Sequence, residues 1–287
     1  MDRLRTPKRI FAYPDLNVEL TITQGWDESG AGTGAAVWDS AERLARCVAE
    51  TGALSALRQH PTAALRVRDV DDARAWWRGK TVVELGAGLG LTSLVAASAG
   101  ALALCTDGDD RVVRMCAENA RANASNVRSA RAEDERETAR DSRVPPHAAR
   151  LLWGDEDDAR TAEDWIRTAN EKSEVEKVEG EVEKVEGCSR SRSSSSAAHP
   201  AVILLADVVY GERSESWRAL VGTLRRLAGS ETLVAMSHTR RGNGASDAFF
   251  DMAKDAGFQV RRAERWVENR DGATSVTSLY AMFLEEG

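Results

Sequence analysis

Residues 81–107 read TVVELGAGLGLTSLVAASAGALALCTD. An apolar strand over Thr81 to Leu85 breaks at Gly86, Gly88 and Gly90, resumes at helical spacing from Leu91 to Ala99, and returns as a second strand from Ala101 to Thr106. Strand, glycine turn, helix and strand in this order form a βαβ unit, which predicts a parallel sheet. Glycine serves where the backbone must turn sharply and a ligand must approach without a Cβ in the way. The helix after the turn aims its free N–H groups and the positive end of its dipole at whatever fills it. Asp107 then falls at the tip of the second strand, about twenty residues past the turn, where a carboxylate can accept both hydroxyls of a ribose.

The spacing of the glycines selects among nucleotides. A dinucleotide fingerprint requires a third glycine three residues after the second, and Leu91 stands at that position. An acid, Glu84, lies two residues before the first glycine. A carboxylate there suits a ligand with a cationic group and repels a diphosphate. S-adenosylmethionine carries an ammonium, a sulfonium and no phosphate, so the turn favours it over NAD. Glu84 and Asp107 put charge where packing asks for none, which separates this motif from a glycine turn that serves packing alone.

Outward from this unit, the 287 residues have a 42% hydrophobic share, enough for one sizeable core with insertions, and a net charge of −7. No basic surface is advertised for nucleic acid or an acidic membrane, and nucleic acid is not the expected acceptor. Cys47, Cys105, Cys116 and Cys188 show no CxxC pair, so they are expected as reduced thiols of a cytoplasmic or nuclear protein, with no metal site. No apolar run reaches the ~18 residues of a membrane span. The N-terminus lacks the apolar core of a signal peptide.

Towards the N-terminus, residues 1–36 are expected as a cover, with an alternating strand over 17–23 and a glycine-rich loop from Gly25 to Gly34. Residues 37–287 form the main domain. Asp39 or Ser40 can cap a helix carrying Ala41, Leu44, Ala45 and Val48, and Trp38 just ahead is either a staple on its first turn or an aromatic wall over a ligand. Residues 58–78 are arginine-rich and irregular. Past Asp107, a helix is predicted from Arg111 to Ala124, with Asn119 and Asn123 one turn apart. Residues 125–149 read as a charged, poorly ordered insertion. A short strand follows from Ala149 to Trp153. Residues 154–200 are expected to be the least globular part, because EVEKVEG is written twice over 174–187 and a Ser/Arg tract follows. A solvated low-complexity insertion over 171–200 is the reading. Ala201 to Leu205 is a strand buried on both faces, with Asp207 at its tip and Tyr210 beyond. Helix Ser214–Ala228, strand Thr232–Ser237, helix Ala245–Ala256 and two final strands, Phe258–Arg265 and Ser278–Leu284, complete an α/β fold. It is a seven-stranded, mostly parallel Rossmann-like sheet with the last strand antiparallel and helices on both faces. The glycine turn, Asp107, Trp153 and Asp207 all stand at strand C-termini, on one rim.

The order Val37-Trp38-Asp39, Val83-Glu84-Leu85-Gly86-Ala87-Gly88-Leu89-Gly90, Asp107, Leu152-Trp153-Gly154 and Asp207-Val208-Val209-Tyr210 resembles the seven-strand protein-lysine methyltransferases of the methyltransferase family 16 type. The resemblance implies that Trp38 and Trp153 line the S-adenosylmethionine site, the latter beside the adenine. It puts Gly86 and Gly88 at the methionine portion, Asp107 at the ribose and Ala206 at the cofactor through its backbone, and Glu84 and Ala87 complete the expected cofactor-binding set. Asp207 and Tyr210 form the acceptor side. It further implies a protein substrate, such as a translation factor or a chaperone, and a monomer. Two other readings stand beside it. One is an NAD-dependent oxidoreductase, which the missing third glycine opposes. The other is a non-catalytic module of the same fold, or a methyltransferase acting on a small molecule or a histidine.

Overall fold

The structure, a computed structural model, describes residues 3–26, 32–50, 73–130, 144–182, 198–211, 214–240, 245–270 and 273–285. In chain order, strands β1 (Lys8–Tyr13) and β2 (Val18–Thr23) lead to helices α1 (Asp39–Ala49) and α2 (Ala73–Trp77). Strand β3 (Thr81–Leu85), helix α3 (Leu91–Ser98), strand β4 (Leu102–Asp107), helices α4 (Asp110–Ala122) and α5 (Ala124–Ser129) and strand β5 (His147–Arg150) follow. Helix α6 (Glu156–Val182), strand β6 (Val202–Ala206), helix α7 (Ser214–Leu227), strand β7 (Leu233–Arg240), helix α8 (Ala245–Asp255) and strands β8 (Phe258–Arg270) and β9 (Ala273–Leu284) complete the order.

Seven strands form one sheet in the order β5-β4-β3-β6-β7-β9-β8. Neighbours are parallel from β5 to β7, and β9 runs antiparallel to both β7 and β8. The expected architecture is therefore present. Side chains alternate across a strand, and the core divides accordingly. Val82, Val202, Leu204, Leu233 and Ala235 join the layer that holds α1, α3, α5 and the β1–β2 hairpin. Val83, Leu85, Ile203, Leu205, Val234 and Met236 join the layer under α6, α7 and α8. All five β3 positions are buried, as in a strand covered on both faces. No helix among the described residues is long and apolar enough to cross a membrane.

Several expectations need correction. Residues 156–182 are one helix rather than the least globular stretch. Its buried positions, Ala159, Ala162, Ile166, Ala169 and Ser173, recur at intervals of three and four, the spacing that keeps one helical face on the core. Arg226 of α7 clamps this helix, with Nε 2.6 Å from Glu163 Oε1 and Nη1 2.5 Å from Glu156 Oε2. Ser173 Oγ donates to Gly79 O at 2.6 Å. The first copy of the acidic repeat thus continues a packed helix, while residues 183–197 lie outside the described residues, as do 131–143 of the charged insertion and 58–72 of the arginine-rich stretch, whose end is not irregular but the helix α2. Within the former loop, α5 and β5 are regular, and β5 starts and stops earlier than expected, leaving Trp153 in the turn after it. Helix α1 begins at Asp39 without a side-chain cap, neither Asp39 nor Ser40 serving as one.

The N-terminal cover is a hairpin in which β1 pairs with β2. Its free edge is met by a helix. Asn119 Oδ1 accepts the Thr23 N–H at 2.9 Å and Asn119 Nδ2 donates to Thr23 O at 3.2 Å. Asn123 repeats the pattern on Thr21, at 2.9 and 2.8 Å. Two residues along a strand span ~6.7 Å and four along a helix ~6 Å, so the two periods match at this contact.

Candidate active site

A cavity of about 680 Å³ opens over the C-terminal ends of β3, β4, β5 and β6. This is the crevice where the strand order reverses and where open α/β sheets bind ligands. Gly86, Ala87, Gly88 and Asp107 form one part of its wall. Trp38 and Trp153 form another, and Ala206, Asp207 and Tyr210 a third. Nine of the ten residues singled out in the sequence are thereby brought to one cavity.

The turn explains its own glycines. Gly86 has φ +66°, and a Cβ on it would stand 2.9 Å from Val208 Cγ1 and 3.2 Å from Trp153 Cζ2. The bare backbone lets these two side chains close on the turn. Gly88, at φ +54°, donates its N–H to Asp107 Oδ2 at 3.2 Å. Asp107 Oδ1 accepts the Asp109 N–H at 3.1 Å. Burial raises the Asp107 pKa, against the pull of these backbone bonds. A half-buried carboxylate in such a place is well matched to hydroxyl donors.

Glu84 is the exception. It does not line the cavity but lies wholly buried under the turn, where Oε2 accepts the Ser93 N–H at 2.9 Å and the Ser93 Oγ–H at 2.6 Å. Ser93 is the third residue of α3, so the carboxylate satisfies an otherwise unpaired N–H of that helix. Burial pushes its pKa up to about 7, with the Ser93 bonds opposing. The ligand's cationic group is therefore not the partner of Glu84; the packing role denied to it from sequence is the one it has.

Trp38 stands at the position before α1, without capping it through its side chain, and walls the cavity. Its Nε1 donates to Thr33 O at 2.9 Å, and Trp26 stands edge-on at 5.6 Å. Thr33 and Gly34, which also line the cavity, were not singled out; the alternating glycines at 32 and 34 echo those of the main turn and were the available signal. Trp153 Nε1 is buried without a hydrogen-bond partner among the described residues. This donor in a cavity wall fits a ligand that brings its own acceptor.

Asp207 has φ +57°, a strained conformation for a residue with a Cβ. Its N–H donates to Ser237 O at 2.9 Å, and Oδ1 accepts the Thr239 N–H at 3.3 Å. The residue is 7% exposed, whereas Tyr210 is 54% exposed at the mouth. Ser216 and Trp217 of α7 also reach the cavity.

These groups suit S-adenosylmethionine. Asp107 would hold the ribose hydroxyls, the N-terminal end of α3 would face the carboxylate, and the Trp38 and Trp153 rings would flank the base. Among the described residues that line the cavity there is no arginine or lysine.

Residues 16–136 match the family model described as lysine methyltransferase. No curated protein matches the sequence. Among solved structures, the chain is similar to a ribosomal protein L11 methylase from Lactobacillus delbrueckii subsp. bulgaricus (13% identity, 96% of this chain and 100% of that chain, TM-score 0.43). It is also similar to TYW2 of P. horikoshii in complex with MeSAdo (11%, 97% and 72%, 0.44). A third is the magnesium protoporphyrin IX methyltransferase of Synechocystis PCC 6803 with bound SAH (13%, 72% and 79%, 0.39). The family match spans the glycine turn and Asp107 themselves, so over residues 16–136 this chain is similar to the lysine methyltransferases, on a sheet of the order β5-β4-β3-β6-β7-β9-β8.

Proposed function

We propose that the chain transfers a methyl group from S-adenosylmethionine to a lysine side chain of a protein. The observation that carries this reading is the Asp207 carboxylate, buried in the wall of the same cavity as Asp107 and beside the exposed Tyr210. The family match by description supports it.

S-adenosylmethionine supplies a methyl carbon already activated by its sulfonium, so the protein's work is positioning and exclusion of water. A lysine has a pKa of about 10.4 in solution and must lose a proton before it attacks. The apolar wall of Trp153, Val208 and Trp217 disfavours the ammonium form. Asp207 accepts a remaining N–H of the amine and aims its lone pair at the methyl carbon, while Tyr210 walls the approach. Asp207 orients; it is not required as a strong base. The proposed setting is the cytoplasm or nucleus, in keeping with Cys47, Cys105 and Cys116 as buried free thiols.

The test is methyl transfer from tritiated S-adenosylmethionine into proteins of a cell extract, followed by acid hydrolysis of the labelled band. Label in methyl-lysine, lost in Asp207→Ala with unchanged affinity for S-adenosylhomocysteine, is the expected result. Label in histidine, in a small molecule or in nucleic acid overturns the lysine assignment.

A further inference from the structure

We propose that His238 is a positioning residue for the acceptor carboxylate, through a buried chain of contacts that runs from Ser246 through His238 to Asp207. The proposal rests on the reading of Asp207 as the residue that meets the acceptor. His238 Nδ1 stands 3.4 Å from Asp207 Oδ1, with the two side chains 3% and 4% exposed. The other ring nitrogen, Nε2, is 2.7 Å from Ser246 Oγ at the start of α8. The 3.4 Å approach to Oδ1 is a charge contact and not a hydrogen bond, and Nδ1 has no hydrogen-bond partner among the described residues.

The chemistry of the two neighbours fixes the ring. A carboxylate oxygen only accepts, so the proton that faces Asp207 belongs on Nδ1, while Nε2 pairs with the Ser246 hydroxyl. A backbone at φ +57° holds a non-glycine residue only if its surroundings over-determine it. Here β7 supplies three consecutive residues for that purpose: Ser237 O receives the Asp207 N–H, and the Thr239 N–H and the His238 ring converge on Oδ1. Ser246 acts one step further back, by keeping the tautomer and tilt of the ring.

The experiment has two readouts on the full chain. Nitrogen-15 NMR of histidine-labelled protein reports the tautomer directly. The expected result is a His238 ring protonated on Nδ1 in the wild type, with that proton's signal moving upfield in Asp207→Asn. A ring protonated on Nε2, or one indifferent to Asp207→Asn, overturns the proposal. Turnover is the second readout, measured as tritium transfer into extract protein beside calorimetry with S-adenosylhomocysteine. His238→Asn places an amide donor near the Nδ1 position and retains most of kcat. His238→Leu lowers kcat by about ten- to a hundredfold with the cofactor affinity unchanged. Equal rates for the two variants, or a His238→Leu effect confined to cofactor affinity, overturn the proposal. If wild type labels no lysine, the proposed function fails, and the tautomer and its response to Asp207→Asn still decide for or against His238.

Discussion

Asp107 Oδ2 accepts the Gly88 N–H at 3.2 Å, so the tip of one strand is bonded to the turn that follows its neighbour. The carboxylate then shapes the turn as well as offering itself to a ribose. The two roles separate by substitution. Asp107→Asn keeps an acceptor for Gly88 and loses the charge, and S-adenosylhomocysteine is expected to bind about ten- to a hundredfold more weakly, the worth of a charge-assisted hydrogen bond. Asp107→Ala loses both and binds more weakly still. Titration calorimetry checks the order.

Gly86→Ala places a Cβ at positive φ, 2.9 Å from Val208 Cγ1 and 3.2 Å from the Trp153 ring. Both side chains belong to the cavity, so they must retreat from it. The expected outcome is a lower melting temperature together with a weaker cofactor affinity. A melting shift with unaltered affinity contradicts the account of the turn.

Glu84, with its pKa pushed up to about 7 by burial, inverts the usual behaviour of a carboxylate. The folded state holds this proton more tightly than the unfolded state, whose glutamate ionises near pH 4.5. Stability from this group is present at low pH and falls as pH rises towards 7. Glu84→Gln removes that dependence. The melting temperature of wild type relative to Glu84→Gln is therefore expected to drop between pH 4.5 and 7 and then level off. A difference that grows with pH over this window sinks the assignment.

Helix α6 is part of the core. Ile166 is fully buried, and Ile166→Ala is expected to destabilise by about 2–5 kcal/mol, or roughly 5–15 °C in melting temperature. Deleting residues 171–198 removes the Ser173 bond to Gly79 O and should lower the melting temperature as well, in contrast to a trim confined to 183–197. Differential scanning calorimetry on the three variants checks this.

The βαβ unit was legible because its signals are local: an apolar run, alternating glycines and an acid one strand later. The rim was legible for the same reason, since a residue that ends a parallel strand lies at the crevice whatever its side chain does. Glu84 was misread because β3 is buried on both faces, and nothing in the sequence tells whether a side chain near its end turns to the ligand or down to α3. Helix α6 was hidden by its charge. Its apolar stripe is mostly alanine, which weighs little against so many acids, and Arg226, the residue that answers Glu156 and Glu163, lies far along the chain. His238 gave no sign at all. A single histidine in an apolar strand acquires meaning only when β6 brings Asp207 alongside and α8 brings Ser246.

Asn119 and Asn123 have a consequence for how the molecule behaves in company. The outer margin of β2 would otherwise offer a row of unanswered amides and carbonyls, ready to recruit a stranger's strand. Two side chains one helical turn apart impersonate that strand and close the row. A helix thus takes the seat that a neighbouring strand would have filled.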